Sequence, residues 1–114
     1  VKTTRQMSDA HEIFLADLID GRRTPGSGNG FANQMDVRND ARRQPWSFAV
    51  DGKSTLSRSI GVSLTMWEKA EEQAHLERPA LALRWYHNQR LRGSTDLVVI
   101  SAQTFAQMLG ELRA

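Results

Sequence analysis

No cysteine occurs among the 114 residues of this chain. That absence removes disulfide frameworks, thiolate zinc sites, iron–sulfur clusters and a cysteine nucleophile together. Any metal ion would need oxygen or imidazole ligands. Imidazoles are few as well: His11, His75 and His87 stand apart, with no His-x-His or His-x-x-x-His pair to build a zinc site, and each suits a surface or helix-packing role. Long apolar runs are also missing. None approaches the roughly 20 residues of a membrane-spanning helix, and the stretch from Val1 to Met7 lacks the apolar core of a secretory signal. The expected compartment is therefore the cytoplasm, with no membrane partner. Internal repeats and low-complexity segments are absent, and the length suits one domain over residues 1–114.

What is present is ordinary in amount and uneven in placement. A hydrophobic fraction of 39% and a charged fraction of 25% fit a folded, water-soluble domain rather than a disordered or fibrous chain. The net charge is only +2. Between Gly21 and Ile60, however, seven basic residues (Arg22, Arg23, Arg38, Arg42, Arg43, Lys53, Arg58) face three acids (Asp36, Asp40, Asp51), against eight and ten in the remainder. Such a concentration suits an anionic polymer held by its phosphates, and equally a solvated basic surface.

Patterning divides the chain into helices and strands. Ser8 suits a helix cap, and Phe14, Leu15, Leu18 and Ile19 recur at helical spacing up to Gly21, giving a helix over 8–20. The run from Arg22 to Gly30 is rich in turn formers and reads as a flexible basic loop. Residues 34–39 and 46–53 read as strands joined by a polar turn, pairing antiparallel. Leu64, Trp67, Ala70 and Ala74 define a helix over 63–77 that ends before Pro79. Strands follow at 80–86 and 97–100, the latter apolar on both faces and expected to be buried. Phe105, Met108, Leu109 and Leu112 make a closing helix opened by Ser101 or Thr104. A helix crossing between two strands implies that they are parallel neighbours.

The chemistry concentrates at Asp51-Gly52-Lys53. In an extended strand Asp51 and Lys53 project from one face, about 7 Å apart, with Trp46, Phe48 and Val50 on the other. Asp36 lies fifteen positions earlier on the neighbouring strand, where it could meet Asp51 around one ion. Hard divalent ions take oxygen ligands, and phosphodiester hydrolysis draws on such an ion for both charge stabilisation and a hydroxide-like nucleophile. Lys53 would face the same phosphate as a point charge.

Asp36 followed by Asp51-x-Lys53 resembles the PD-(D/E)xK nuclease motif. Within that superfamily the chain is most similar to the small Holliday-junction resolvases of archaea and phages. Glu12 in the first helix, Gly26-Ser27-Gly28 in the loop, Asp36, Asp51 and Lys53 follow the order in which those enzymes carry their site. Met35 stands where the motif has proline, and Asp51 where the closest resolvases have glutamate. The resemblance implies an α/β, restriction-endonuclease-like core in α-β-β-β-α-β order, with a mixed central sheet flanked by helices. It further implies a DNA endonuclease for recombination or repair, dependent on Mg²⁺ with Mn²⁺ as a substitute, acting on branched DNA as a homodimer. Glu12, Asp36 and Asp51 would bind the metal, Lys53 would assist the water, and Ser27 would complete the catalytic set.

Each residue has a plainer alternative. Glu12 suits a first-turn acid favoured by the helix dipole, Ser27 a turn, and Asp36 and Asp51 strand ends. Trp46, Trp67 and Trp85 lie on apolar periodic faces and fit a core better than a stacking platform. Arg22, Arg23, Arg38, Arg42, Arg43 and Arg58, with Ser27, are the candidate DNA contacts, since phosphate binding positions a duplex without reading it. Tyr86 and His87 are further candidates. The alternatives to a resolvase are another nuclease of the same superfamily, acting on duplex or single strands, and a non-catalytic DNA-binding module.

Overall fold

The computed structural model describes residues 3–24, 35–39 and 46–114. Helix α1 spans Thr4–Leu18, starting earlier than Ser8 suggests. Thr3 is the cap: its hydroxyl accepts from the Gln6 N–H, and the Gln6 side chain accepts from the Thr3 N–H. This reciprocal pair satisfies two donors that a helix start leaves orphaned. The buried stripe of α1 is accordingly Met7, His11 and Leu15, four residues apart, while Leu18 is exposed. Asp20 closes the helix with a left-handed φ of 53°, letting the Gly21 N–H reach back to the Ala16 carbonyl at 2.8 Å. Gly21 is required by close approach, since a Cβ there would lie 2.6 Å from the Arg38 carbonyl oxygen.

Three strands follow as an antiparallel meander: β1 (Arg22–Arg23), β2 (Val37–Arg38) and β3 (Phe48–Thr55). The expected basic loop thus opens with a short strand. The rest of it from Pro25 on, with Gly26, Ser27 and Gly28, and the turn holding Arg42 and Arg43 lie outside the described residues. Helix α2 (Leu64–Ala74), capped by the Ser63 hydroxyl, carries the chain across the sheet to β4 (Arg78–Tyr86), parallel to β3. It stops short of residue 77 because His75 takes a φ of 57°. Pro79 therefore lies inside β4, near its start, where a missing N–H is tolerated. Strand β5 (Ser94–Val99) pairs antiparallel with β4, and α3 (Ala102–Arg113), capped by Ser101, closes the chain. The result is an α/β fold with an open mixed sheet in the order β1-β2-β3-β4-β5.

Both faces of β3 and β4 are covered. On one, Val37, Val50, Ala80 and Ala82 pack beneath Leu15 of α1, with Phe14, Ile19 and Phe48 at the margin. On the other, Ala49, Leu81 and Leu83 pack against Ala70 and Ala74 of α2, together with Met35. Small residues at these contacts let both helices sit close to the sheet, as dense packing requires.

The expectation that the last strand is buried is overturned: β5 is the sheet edge, and Leu97 and Val98 are each 53% exposed. The reason lies in α3, which does not fold back over the sheet. Only Thr104 of that helix is buried, while Phe105 and Leu112 are exposed. Polar contacts anchor it: Arg78 stacks 4.4 Å above the Trp46 ring and donates to Gln107 and Thr104, and the Trp46 indole donates to Glu111. Among the described residues no helix is long and apolar enough to cross a membrane.

Replacing the fully buried Leu81 by alanine should lower unfolding free energy by about 3 kcal/mol, through lost burial and a residual cavity. Leu76→Ala, at a residue 94% exposed, should stay within about 0.5 kcal/mol of the parent. Urea denaturation of the two variants checks this, and equal losses would contradict the core assignment.

Candidate functional site

Asp51 and Lys53 leave β3 on the face of Ala49 and α2, by strand alternation. Their side chains meet, with Lys53 Nζ 3.3 Å from Asp51 Oδ2. Asp36 stands one residue before β2, where its N–H donates to the Val50 carbonyl at 2.9 Å. Beyond this point β3 has outrun β2, and the Gly52 N–H on that edge is taken up by Asp36 Oδ2 at 2.7 Å. The Asp36 carboxylate also shares a hydrogen bond with Asp51. The strand end and the neighbouring turn thus bring the two aspartates and the lysine together, as their spacing suggests.

Gly52 faces α1. A Cβ at this position would meet His11 Nδ1 at 3.1 Å, His11 Cε1 at 3.3 Å and Asp36 Oδ2 at 3.5 Å. The middle residue of the triplet therefore has little room for a side chain, and this gap admits the His11 ring.

The charges are crowded. Burial, then the Asp36 charge, push the Asp51 carboxyl up to about 6, against the opposing pull of Lys53. Burial and the same Asp36 charge also raise Glu12, while Arg23 works the other way. Glu12 projects from α1 and is 3.2 Å from the Arg23 guanidinium, which also pairs with Asp9 at 2.8 Å. Asp36 is thus the carboxylate felt by both other acids of the predicted metal set. Oxygen donors under mutual repulsion fit a hard divalent cation. Asp36 and Asp51 are the pair in contact, whereas Glu12 is held by Arg23. No group of three or more His, Asp or Glu side chains among the described residues is arranged to hold a metal ion.

The remaining candidates are dispersed. Arg22 is exposed on β1. Arg38 donates to the Gln73 and Ala74 carbonyls and pairs with Glu77 at 2.7 Å, so its guanidinium is engaged at the end of α2. Arg58 is exposed just past β3. Ser27, Arg42 and Arg43 lie outside the described residues. Tyr86 is buried and donates its hydroxyl to the Met7 carbonyl at 2.7 Å, while His87 is exposed with Nε2 3.0 Å from the Thr95 hydroxyl.

Two features escaped the sequence patterns. The first is a buried polar layer under α1. His11 is 2% exposed with no partner on Nε2, and burial, then the nearby Arg84 guanidinium, lower its pKa to about 4. Arg84 is itself buried, bonded to Asp96 at 2.6 Å and stacked 4.2 Å from the Phe14 ring. The four-residue spacing from Met7 through His11 to Leu15 is the signal that marks His11 as inward-facing. The second is an open hollow of about 690 Å³ beyond the ends of β3 and β4, walled by Leu56, Ser57, Arg58, Trp85, His87 and Thr95.

No family model, curated protein or solved structure matches this chain.

Asp51 and His11 oppose one another in pH-dependent stability. Asp51 holds a proton in the folded state that the unfolded chain releases from about pH 4 upward, so its contribution falls as pH rises from about 4 to 6. His11 lacks a proton that the unfolded chain binds below about 6.5, so its contribution falls as pH drops from about 6.5 to 4. In metal-free buffer, Asp51→Asn should leave the His11 slope alone. The variant should be about 2 kcal/mol more stable than the parent at pH 7.5 and lose that advantage towards pH 4. Thermal melts across this range provide the measurement, and a less stable variant at pH 7.5 would refute the crowding of Asp51.

Proposed function

We propose that the chain is a metal-dependent DNA endonuclease of the PD-(D/E)xK type, cleaving branched DNA as a homodimer. The observation that carries this is the end of β3: Asp51 in contact with Asp36, its carboxyl raised to about 6 by burial and then by the Asp36 charge, with the Lys53 ammonium 3.3 Å away. Paired carboxylates beside a lysine are an unfavourable arrangement for folding alone, and a useful one for holding a cation next to a phosphate. Support also comes from the order of elements, α1, β1, β2, β3, α2, β4, in which β3 and β4 are parallel. That order agrees with a restriction-endonuclease-like core.

In this proposal Asp36 and Asp51 hold Mg²⁺ or Mn²⁺, with Glu12 joining them after release from Arg23. The ion would supply charge neutralisation at the attacked phosphate and acidify a water molecule. Gly52 keeps Asp36 in place through its N–H. Lys53 presents a point charge to the phosphoryl oxygens and orients the attacking water, whose addition to phosphorus expels the sugar oxygen. Arg22 and Arg58, both exposed, would grip flanking phosphates. The uncovered β5 edge and the exposed Phe105 and Leu112 of α3 offer a surface for a second copy.

A four-way DNA junction incubated with protein and Mg²⁺ should be cut symmetrically, and its linear duplex arms left intact. Cleavage should fall at least 100-fold in Asp51→Asn, on the order of a lost metal ligand, while DNA binding persists. An intact junction with either Mg²⁺ or Mn²⁺ overturns the proposal. Salt-sensitive binding without cutting would favour a DNA-binding module, for which the Arg23 pairing with Glu12 is the supporting observation. Equal cutting of linear arms would point to another nuclease of the same type.

A further inference from the structure

Sheet register connects Asp51 to the hollow beyond β3. Asp51, Lys53 and Thr55 share one face of β3, Thr55 is paired with Trp85 on β4, and Trp85 with Thr95 on β5. Paired residues project to the same side, so the row from the aspartate to the hollow is continuous. Thr55 lies four steps along the strand from Asp51, about 13 Å, the reach of a short nucleic-acid segment rather than of one phosphate. α2 covers the first part of this face, over Ala49, Leu81 and Leu83. Past Thr55 the face opens into the hollow.

Its walls have the chemistry of a nucleotide site. Trp85 packs one part of its ring against the α2 core and lines the hollow with another, so it offers an aromatic surface fixed from behind. Leu56 adds an apolar wall. Arg58 is exposed and, among the described residues, has no ion-pair partner, and no carboxylate of theirs lines the hollow. Ser57 and Thr95 supply hydroxyls, and the His87 ring is oriented through Thr95. An aromatic face beside an unpaired arginine is how proteins hold single-stranded nucleic acid: bases stack, and phosphate meets the cation. The volume, about 690 Å³, accommodates a base with its sugar.

We infer that this hollow is a subsite for an unpaired nucleotide of the DNA strand lying across Asp51 and Lys53, its base stacked on Trp85 and its phosphate on Arg58. The inference rests on the nuclease proposal for the identity of the strand, and it specifies the substrate: DNA with an unstacked nucleotide near the cut, as at a branch. Trp85 and Arg58 are binding residues here, outside the metal-holding set.

The test needs neither metal nor cleavage. A short 5′-phosphorylated oligothymidylate is titrated into the full chain in EDTA, and the indole resonances of the three tryptophans are followed by NMR. Trp85 should shift, while Trp46, stacked on Arg78, and Trp67, packed on the α2 side, stay in place. Arg58→Ala, a change at an exposed residue, should weaken binding about tenfold, and Trp85→Leu similarly, with Trp85→Phe retaining most of the affinity. Saturable binding that leaves Trp85 unmoved, or that Arg58→Ala does not weaken, overturns the subsite. A junction cut normally by Arg58→Ala would also overturn it while leaving the nuclease proposal standing. An uncut junction with Trp85 shifting would do the reverse.

Discussion

The parallel pairing of β3 with β4 is the constraint on which the rest of the molecule depends. It runs without interruption from Phe48 opposite Arg78 to Thr55 opposite Trp85. Parallel neighbours cannot be joined by a tight turn, so α2 must cross one face of the sheet. α1 then covers the other, and the two central strands are buried at their beginnings by Val50, Ala80, Leu81 and Leu83. Towards their ends the cover thins on the α2 side. Polar side chains take over there: Asp51, Lys53, Thr55 and the residues around Trp85.

That change from apolar to polar occurs within one strand and explains the electrostatic character of its end. The Asp51 carboxyl is near enough to the core to be desolvated and near enough to Asp36 to be repelled, with one lysine in partial compensation. On the opposite face the buried Arg84 is satisfied by Asp96 and by the rings of Phe14 and Tyr86. Burial alone would raise Asp96, but hydrogen bonds from Arg84 and Ser94 bring it below the usual carboxylate range. One face therefore carries a neutralised buried pair, and the other a carboxyl, Asp51, raised by burial and by a like charge beside it.

Much of the architecture was legible because local rules and tertiary packing agree. The crossover between β3 and β4, the antiparallel pairing of β2 with β3, the Ser101 cap and the meeting of Asp36, Asp51 and Lys53 all follow from spacing and alternation. The misplacements have local causes. Thr3 with Gln6 is a better cap than Ser8, because two bonds form instead of one. Leu97 and Val98 resemble a buried strand because β-branched and aliphatic residues favour strands whether or not a layer covers them, and the absent layer is α3, held aside by Trp46 and Arg78. Among the proposed arginines, Arg38 could not be told from a phosphate contact in sequence, since its engagement at the end of α2 spans a long chain separation.

Periodicity of two in strands and near four in helices is a property of short stretches, and it sufficed to place the carboxylates and the lysine on a common strand end. Whether those groups would be crowded, which helix would shelter them and which arginines would be engaged in ion pairs are decided by contacts between distant segments. His11 against Gly52, Arg23 against Glu12, and Trp85 at the edge of both the α2 core and the hollow are such contacts. They arise because a sheet buried on both faces leaves few places for charge, and packing across the whole fold selects which side chains occupy them.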